Sequence, residues 1–172
     1  NYLDAIAGNE TDAEVMVRKF LASQCILLSV IGMPAIYYHS LLGSRNSYRD
    51  YEESGIKRRI NREKLDADRL RAELADEKSL RSRVLKGYKK MIGLRRQEEA
   101  FDPASPQKVL FLDDRLFALR RGEKEAVLVL VNVSSKPVTA KIGDRGHSLF
   151  TGETAEGQVT LQPYGFDWIR VE

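Results

Sequence analysis

The sequence predicts two architectures in series: an α/β segment over residues 1–102 and a small antiparallel β-sheet or sandwich over residues 103–172. Three observations carry this. A helix-period run stops at Gly32-Met33-Pro34 and passes into a short apolar run, Ala35 to Tyr38. Polarity then flips at His39 and stays high well beyond Asn46. Past Phe101-Asp102-Pro103-Ala104-Ser105-Pro106 the apolar period becomes two, in short runs separated by turn residues. Helix, buried strand and polar loop, in that order, are the parts of one unit of an α/β barrel, whose loop after the strand carries function. One buried strand cannot make a sheet, so its neighbours are expected upstream of Asn1.

In chain order, residues 1–10 read as a loop ending in Gly8-Asn9-Glu10. Thr11-Asp12-Ala13-Glu14 fits a capping box, with a Thr hydroxyl for one orphan amide and a Glu three residues later. The helix that follows starts amphipathic, with Arg18 and Lys19 outward, and turns apolar nearly all round from Phe20 to Ile31. Its second half is therefore expected to be deeply buried. Gly32 is placed to end it, and Pro34 cannot continue it. A strand is expected at about 34–39 and a functional loop over 40–64, because 44–61 has almost no apolar periodicity. Asp66 to Leu74 reads as a short helix. Ser79 then caps a stronger one, in which Leu80, Val84, Leu85, Tyr88, Met91 and Ile92 share a face. Lys86, Lys89, Lys90, Arg95 and Arg96 line the other, expected to be solvated.

In the β module, Val109 to Leu112 and Leu116 to Arg120 flank Asp113-Asp114-Arg115, a hairpin signal. Ala126 to Val133 is a near-continuous run of Val and Leu, read as a central strand. Ser134-Ser135-Lys136-Pro137 turns into Val138 to Ile142, and weaker strands follow near His147 to Phe150, Gln158 to Leu161 and Phe166 to Val171.

Composition narrows the function classes. The 172 residues are 42% hydrophobic and 31% charged, enough for a core, and the net charge of +3 is too slight to argue for nucleic acid. Cys25, the single cysteine, lies among apolar helix residues and reads as a core thiol; no disulfide can form within the chain. Phe20 to Ser44 lacks Asp, Glu, Lys and Arg, a length that could span a membrane. Gly32 and Pro34 break it, and Ser23, Gln24, Ser29, His39 and Ser40 interrupt it, so a buried helix and strand explain it better. There is no Gly-rich phosphate loop, no Cys/His metal spacing and no nucleophile elbow, so no cofactor and no metal is expected. His39 stands where the strand ends, either a satisfied structural histidine or a ligand contact. His147 reads as surface. Asp50, Glu52 and Glu53 are acid/base candidates set against a plain solvated loop face.

Several segments together resemble one family. Asn1-Tyr2-Leu3-Asp4-Ala5, Gly32-Met33-Pro34-Ala35-Ile36-Tyr37-Tyr38, the continuation His39-Ser40-Leu41-Leu42-Gly43-Ser44-Arg45-Asn46, and Arg59-Ile60-Asn61-Arg62-Glu63-Lys64 occur in order. They are similar to the C-terminal third of the sucrose phosphorylase group within the α-amylase family of glycoside hydrolases. The Gly-x-Pro-x-Ile-Tyr-Tyr stretch resembles that family's eighth barrel strand in general; the Leu-Leu-Gly-Ser-Arg-Asn continuation and Ile-Asn-Arg point to the phosphorylases.

The resemblance implies the C-terminal end of a (β/α)8 barrel, its last strand and helices, followed by a β domain. It implies a cytoplasmic enzyme acting on an α-glucoside disaccharide and inorganic phosphate with retention, one carboxylate attacking the sugar and another serving as acid then base. Those carboxylates are expected upstream of Asn1, so no catalytic residue is assigned in this chain. Arg62 matches the Arg of Ile-Asn-Arg, which in that family contacts glucosyl hydroxyls far from the scissile bond. A guanidinium's planar fork of donors suits vicinal hydroxyls. The plain alternative is an ion pair of Arg62 with Glu63 or Glu53. Asn61, His39 and Tyr2 are further substrate-binding candidates, Asn1 and Tyr2 being the last residues of the family's acceptor and phosphate loop. The phosphorylase pattern often has Asp after its Gly-Ser-Arg-Asn and Thr before the loop Gly; Ser47 and Ser54 stand there instead. The acceptor therefore stays open among sucrose, sucrose 6-phosphate and glucosylglycerate. A hydrolase or transglucosidase of the same family is the alternative. A non-catalytic β-sandwich binding module is a further one, although Tyr164, Phe166 and Trp168 are spaced like an inward stripe.

Overall fold

A computed structural model describes all 172 residues. They form two compact units, one of residues 1–21 and 35–89, the other of residues 22–34 and 90–172.

The first unit is helical. α1 (Tyr2–Ala7) forms where a loop was expected. The Asp4 carboxylate accepts hydrogen bonds from the Arg45 side chain and the Asn46 backbone amide, which ties α1 to the Gly43-Ser44-Arg45-Asn46 turn. α2 (Ala13–Ser29) starts one residue later than the capping-box reading. Asp12, not Thr11, is the cap: its carboxylate accepts from the amides of Glu14 at 2.7 Å and Val15 at 3.4 Å. A carboxylate at a helix N-terminus gains from the helix dipole as well as from the bonds. Glu14 turns outward to pair with Arg83 instead of closing the box. Phe20 is wholly buried, edge-on to Tyr2 at 5.9 Å and to Tyr88 at 6.1 Å. A Cβ added at Gly87 would lie 2.5 Å from a Leu21 methyl, so α6 (Leu80–Arg95) can meet α2 this closely only through a glycine.

The strand expected at about 34–39 does not form. Ala35 to Tyr37 are extended but have no ladder partner, and α3 (Tyr38–Leu41) closes one helical turn after them. A strand exists only where a neighbour takes its backbone hydrogen bonds, and no other segment of these residues lies alongside to do so. Nor is 44–61 structureless. It holds α4 (Tyr48–Ser54), ended by Gly55 in the left-handed region at φ 67°, and a 3₁₀ turn over Lys57–Asn61. Local polar bonds build these elements: Ser47 Oγ donates to Asp50 at 2.7 Å and the Ser47 amide to the Ile60 carbonyl at 2.8 Å. The remaining helices match expectation. Asp66 caps α5 (Ala67–Ala75), accepting from the Arg69 amide at 2.8 Å, and Ser79 Oγ accepts from the Ser82 amide at 3.0 Å to cap α6.

The second unit is a two-layer β structure. β1 (Gln107–Leu110), β2 (Leu116–Arg121), β3 (Val127–Asn132), β5 (Gly146–Ser148), β6 (Thr154–Ala155) and β8 (Phe166–Val171) form a six-stranded sheet in the order β1-β2-β3-β8-β5-β6. All its pairs are antiparallel; β4 (Val138–Lys141) and β7 (Gln158–Leu161) pair separately. Only the short β6 was missed by the period-two reading. Every position of β3 is buried, which is why it reads as an unbroken Val/Leu run. Leu116, Ala118, Leu128, Leu130 and Ile169 of the large sheet pack on Val138, Ala140, Ile142 and Leu161 of the small pair and its extension.

The other face of the large sheet carries Trp168, wholly buried, whose indole N–H donates to Ser29 Oγ at 2.9 Å. Arg121, also wholly buried, donates to the carbonyls of Ser29 at 2.6 Å and Asp102 at 2.8 Å. Arg95 was expected on a solvated face; instead it donates to the carbonyls of Leu28 and Phe101. The physical reason lies in α2, whose last carbonyls have no intrahelical partner and are met by these two guanidinium groups. Cys25 is wholly buried, and burial pushes its thiol far up, as a core residue requires. No helix is long and apolar enough to cross a membrane.

Candidate functional site

The sequence candidates converge in part. Arg62 follows the 3₁₀ turn Lys57–Asn61, its amide donating to the Arg59 carbonyl at 3.0 Å. Its side chain is exposed at a cavity of about 460 Å³ together with Arg49, Asp50, Glu53, Ile56, Arg58, Arg59 and Lys64. The ion pairs that would make Arg62 an ordinary surface residue are taken elsewhere: Glu63 pairs with Arg81 at 2.8 Å and Glu53 lies 3.7 Å from Arg49. Asn61 is exposed too, and its carbonyl accepts from the Tyr37 hydroxyl at 3.4 Å.

His39 is close to this group but enclosed. Its ring is 0% exposed, tilted against Tyr38 at 4.0 Å and edge-on to Tyr37 at 5.2 Å between centroids. Nδ1 lies 2.9 Å from Ser44 Oγ, and Nε2 is buried without a protein partner. Burial lowers its pKa, with Arg81 adding to the effect and Glu63 opposing it, so the imidazole is neutral near pH 7. Tyr37 and Tyr38, which lie against this ring, are themselves about half exposed. Tyr2 packs against Phe20 and does not join the Arg62 group.

Among the acid/base candidates, Asp50 is held below the usual carboxylate range, chiefly by the Ser47 hydroxyl. A carboxyl so stabilised in its ionised form is unsuited to act as a proton donor. Glu52 lies exposed on α4. No three His, Cys, Asp or Glu side chains gather to hold a metal ion.

One residue the sequence reading passed over is central. Arg81, with its side chain 12% exposed, donates to the Leu42 carbonyl at 3.0 Å, Ser44 Oγ at 2.9 Å and Glu63 at 2.8 Å, and pairs with Glu73 at 2.5 Å. It borders a second cavity, of about 600 Å³, shared with Arg45, Asn46 and Glu63. The only signal for it was its position two residues after the Ser79 cap.

Comparison with known proteins gives three kinds of match. A family model described as "Beta-galactosidase C-terminal domain" covers residues 117–167, part of the β unit only. The chain is 48% identical over 137 residues to a glucosylglycerate phosphorylase from Spirochaeta thermophila, covering 78% of this chain and 23% of that protein. It is 36% identical over 169 residues to one from Allomeiothermus silvanus, covering 96% and 30%. The chain thus spans about a quarter to a third of the curated relatives it matches. Among solved structures, the type III pullulan hydrolase from Thermococcus kodakarensis superposes with a TM-score of 0.74 at 18% identity, covering 99% of this chain and 27% of that one. At that identity the likeness establishes shared fold alone.

Proposed function

Given that the chain is a relative of the disaccharide phosphorylases of the α-amylase family, we propose that it forms the C-terminal portion of a glucosylglycerate phosphorylase. The enzyme transfers the glucosyl group of glucosylglycerate to inorganic phosphate and releases glucose 1-phosphate and glycerate. The observation that carries this reading is the 48% identity to a protein of that name over 137 residues.

In this reading residues 1–102 complete the catalytic barrel and residues 103–172 are the β domain after it. The nucleophile and the acid/base carboxylate stand upstream of Asn1, and the reaction retains configuration through a covalent glucosyl intermediate. This chain supplies no reacting atom. Arg62 binds the glucosyl hydroxyls away from the bond that breaks, and its unpaired guanidinium at an open cavity supports that role. Ala35 to Tyr37 are the last barrel strand, extended already and lacking only neighbours. Asn61 assists Arg62, whereas His39 acts from behind Tyr37 and Tyr38. The location is the cytoplasm.

The test is incubation of the full-length enzyme with phosphate and each of glucosylglycerate, sucrose and sucrose 6-phosphate. Glucose 1-phosphate should appear from glucosylglycerate in proportion to phosphate. Free glucose released without phosphate dependence overturns the phosphorylase reading in favour of a hydrolase or transglucosidase of the same fold. Residues 1–172 alone should give no turnover; activity from them would contradict the upstream position of the nucleophile.

A further inference from the structure

We infer that Arg81 is a positioning residue that sets where the Arg62 guanidinium meets the sugar. The inference rests on the reading of Arg62 as the glucosyl contact and adds a residue to it. Arg62 stands between two residues that are each tied down. On one side the Asn61 carbonyl accepts from Tyr37 at 3.4 Å; on the other the Glu63 carboxylate takes Arg81 Nη2 at 2.8 Å. Arg62 itself makes no side-chain ion pair, so its placement comes from these flanking anchors.

Arg81 is also anchored at its other donors. Nη1 is shared between the Leu42 carbonyl and Ser44 Oγ, and Nε faces Glu73 on α5. Ser44 Oγ, which accepts from Arg81, also lies within hydrogen-bond distance of His39 Nδ1, 2.9 Å away. His39 in turn backs the rings of Tyr37 and Tyr38. One guanidinium thus fixes Glu63 directly and, through Ser44 and His39, supports the tyrosine that holds Asn61. Only a planar fork of donors serves acceptors in this many directions. A lysine has a point charge and three donors on a flexible stem.

The experiment is a double-mutant cycle in the full-length enzyme, read as phosphorolysis of glucosylglycerate. Arg62→Ala alone should lower kcat/KM by roughly 10- to 100-fold, the range for a lost charged hydrogen-bonding group. Arg81→Gln and Arg81→Lys should each lower it by about 10-fold, chiefly through kcat, because a displaced contact loses transition-state geometry before ground-state binding. In the Arg62→Ala background, Arg81→Gln should add almost nothing, since the group it positions is gone. If Arg81→Gln lowers kcat/KM by the same factor with and without Arg62, the inference fails and Arg81 is merely structural. If Arg81→Gln is silent while Arg62→Ala is impaired, the inference also fails. A silent Arg62→Ala removes the glucosyl-contact reading, and this inference with it. Should Arg81→Gln not fold, Glu63→Gln takes its place in the cycle with the same expected non-additivity.

Discussion

β3 and residues 45–64 are held by opposite means. Every residue of Val127–Asn132 is buried, and the strand is fixed by apolar packing on both faces. No residue from 45 to 64 is wholly buried, yet the segment has a definite fold. It is held by single polar bonds: Ser47 to Asp50, the Ser47 amide to Ile60, Gly55 in the left-handed region, and Glu63 to Arg81. The difference teaches where each kind of information sits. Packing spreads stability over many side chains, whereas the loop relies on a few individual hydrogen bonds, and in the proposed function these place the Arg62 guanidinium. Damage to the first should show as lost stability, and damage to the second as lost activity.

The largest effect should come from the packed side. Trp168→Ala removes a wholly buried indole and its bond to Ser29, and should cost about 3–5 kcal/mol in urea or thermal unfolding. A loss below about 1 kcal/mol would mean that the sheet face is not the core described.

A smaller effect tests polar burial within the same unit. Burial pushes the Asp167 carboxyl up to about 6, partly offset by the Ser148 hydroxyl 2.7 Å away. The folded protein therefore binds this proton more tightly than the unfolded chain. Below about pH 4 both states are protonated; as pH rises from about 4 to about 6 the folded state is penalised, and stability falls by roughly 2–3 kcal/mol. Asp167→Asn should remove that part of the decline, so its stability gains on the parent's as pH rises from about 4 to about 6 and keeps that gain at higher pH. Parallel profiles would contradict the buried carboxyl.

The smallest effect belongs to the loop surface. Arg49 and Glu53, with side chains 80% and 67% exposed, stand 3.7 Å apart. Arg49→Ala should change stability by less than about 0.5 kcal/mol. A larger loss would show that the segment is held by charge rather than by the short bonds at Ser47 and Asp50.

The same contrast explains what the sequence disclosed. The strands of the β unit follow apolar periodicity, and Gln158–Leu161 and Phe166–Val171 are observed where that period puts them. α4 and the Lys57–Asn61 turn have no apolar face to announce them; their signals were a single Ser and a single Gly. Asp12 took the cap from Thr11 because the two polar residues are adjacent, and a pattern cannot rank them. The strand at 34–39 failed for another reason: its hydrogen-bond partners are not among these residues. In the candidate site, Arg62 is proposed from Ile60-Asn61-Arg62, a run that stands in the sequence itself. Arg81 has no such run, since its four acceptors come from segments that only the fold brings together.

The most direct test of the account is the kinetics of Arg62→Lys in the full-length enzyme, with phosphate saturating and glucosylglycerate varied. Lysine keeps the charge and loses the fork, so kcat/KM should fall at least about 10-fold with unfolding unchanged. A kcat/KM equal to that of the parent enzyme would contradict the claim that this chain's contribution to catalysis is a guanidinium placed on the sugar.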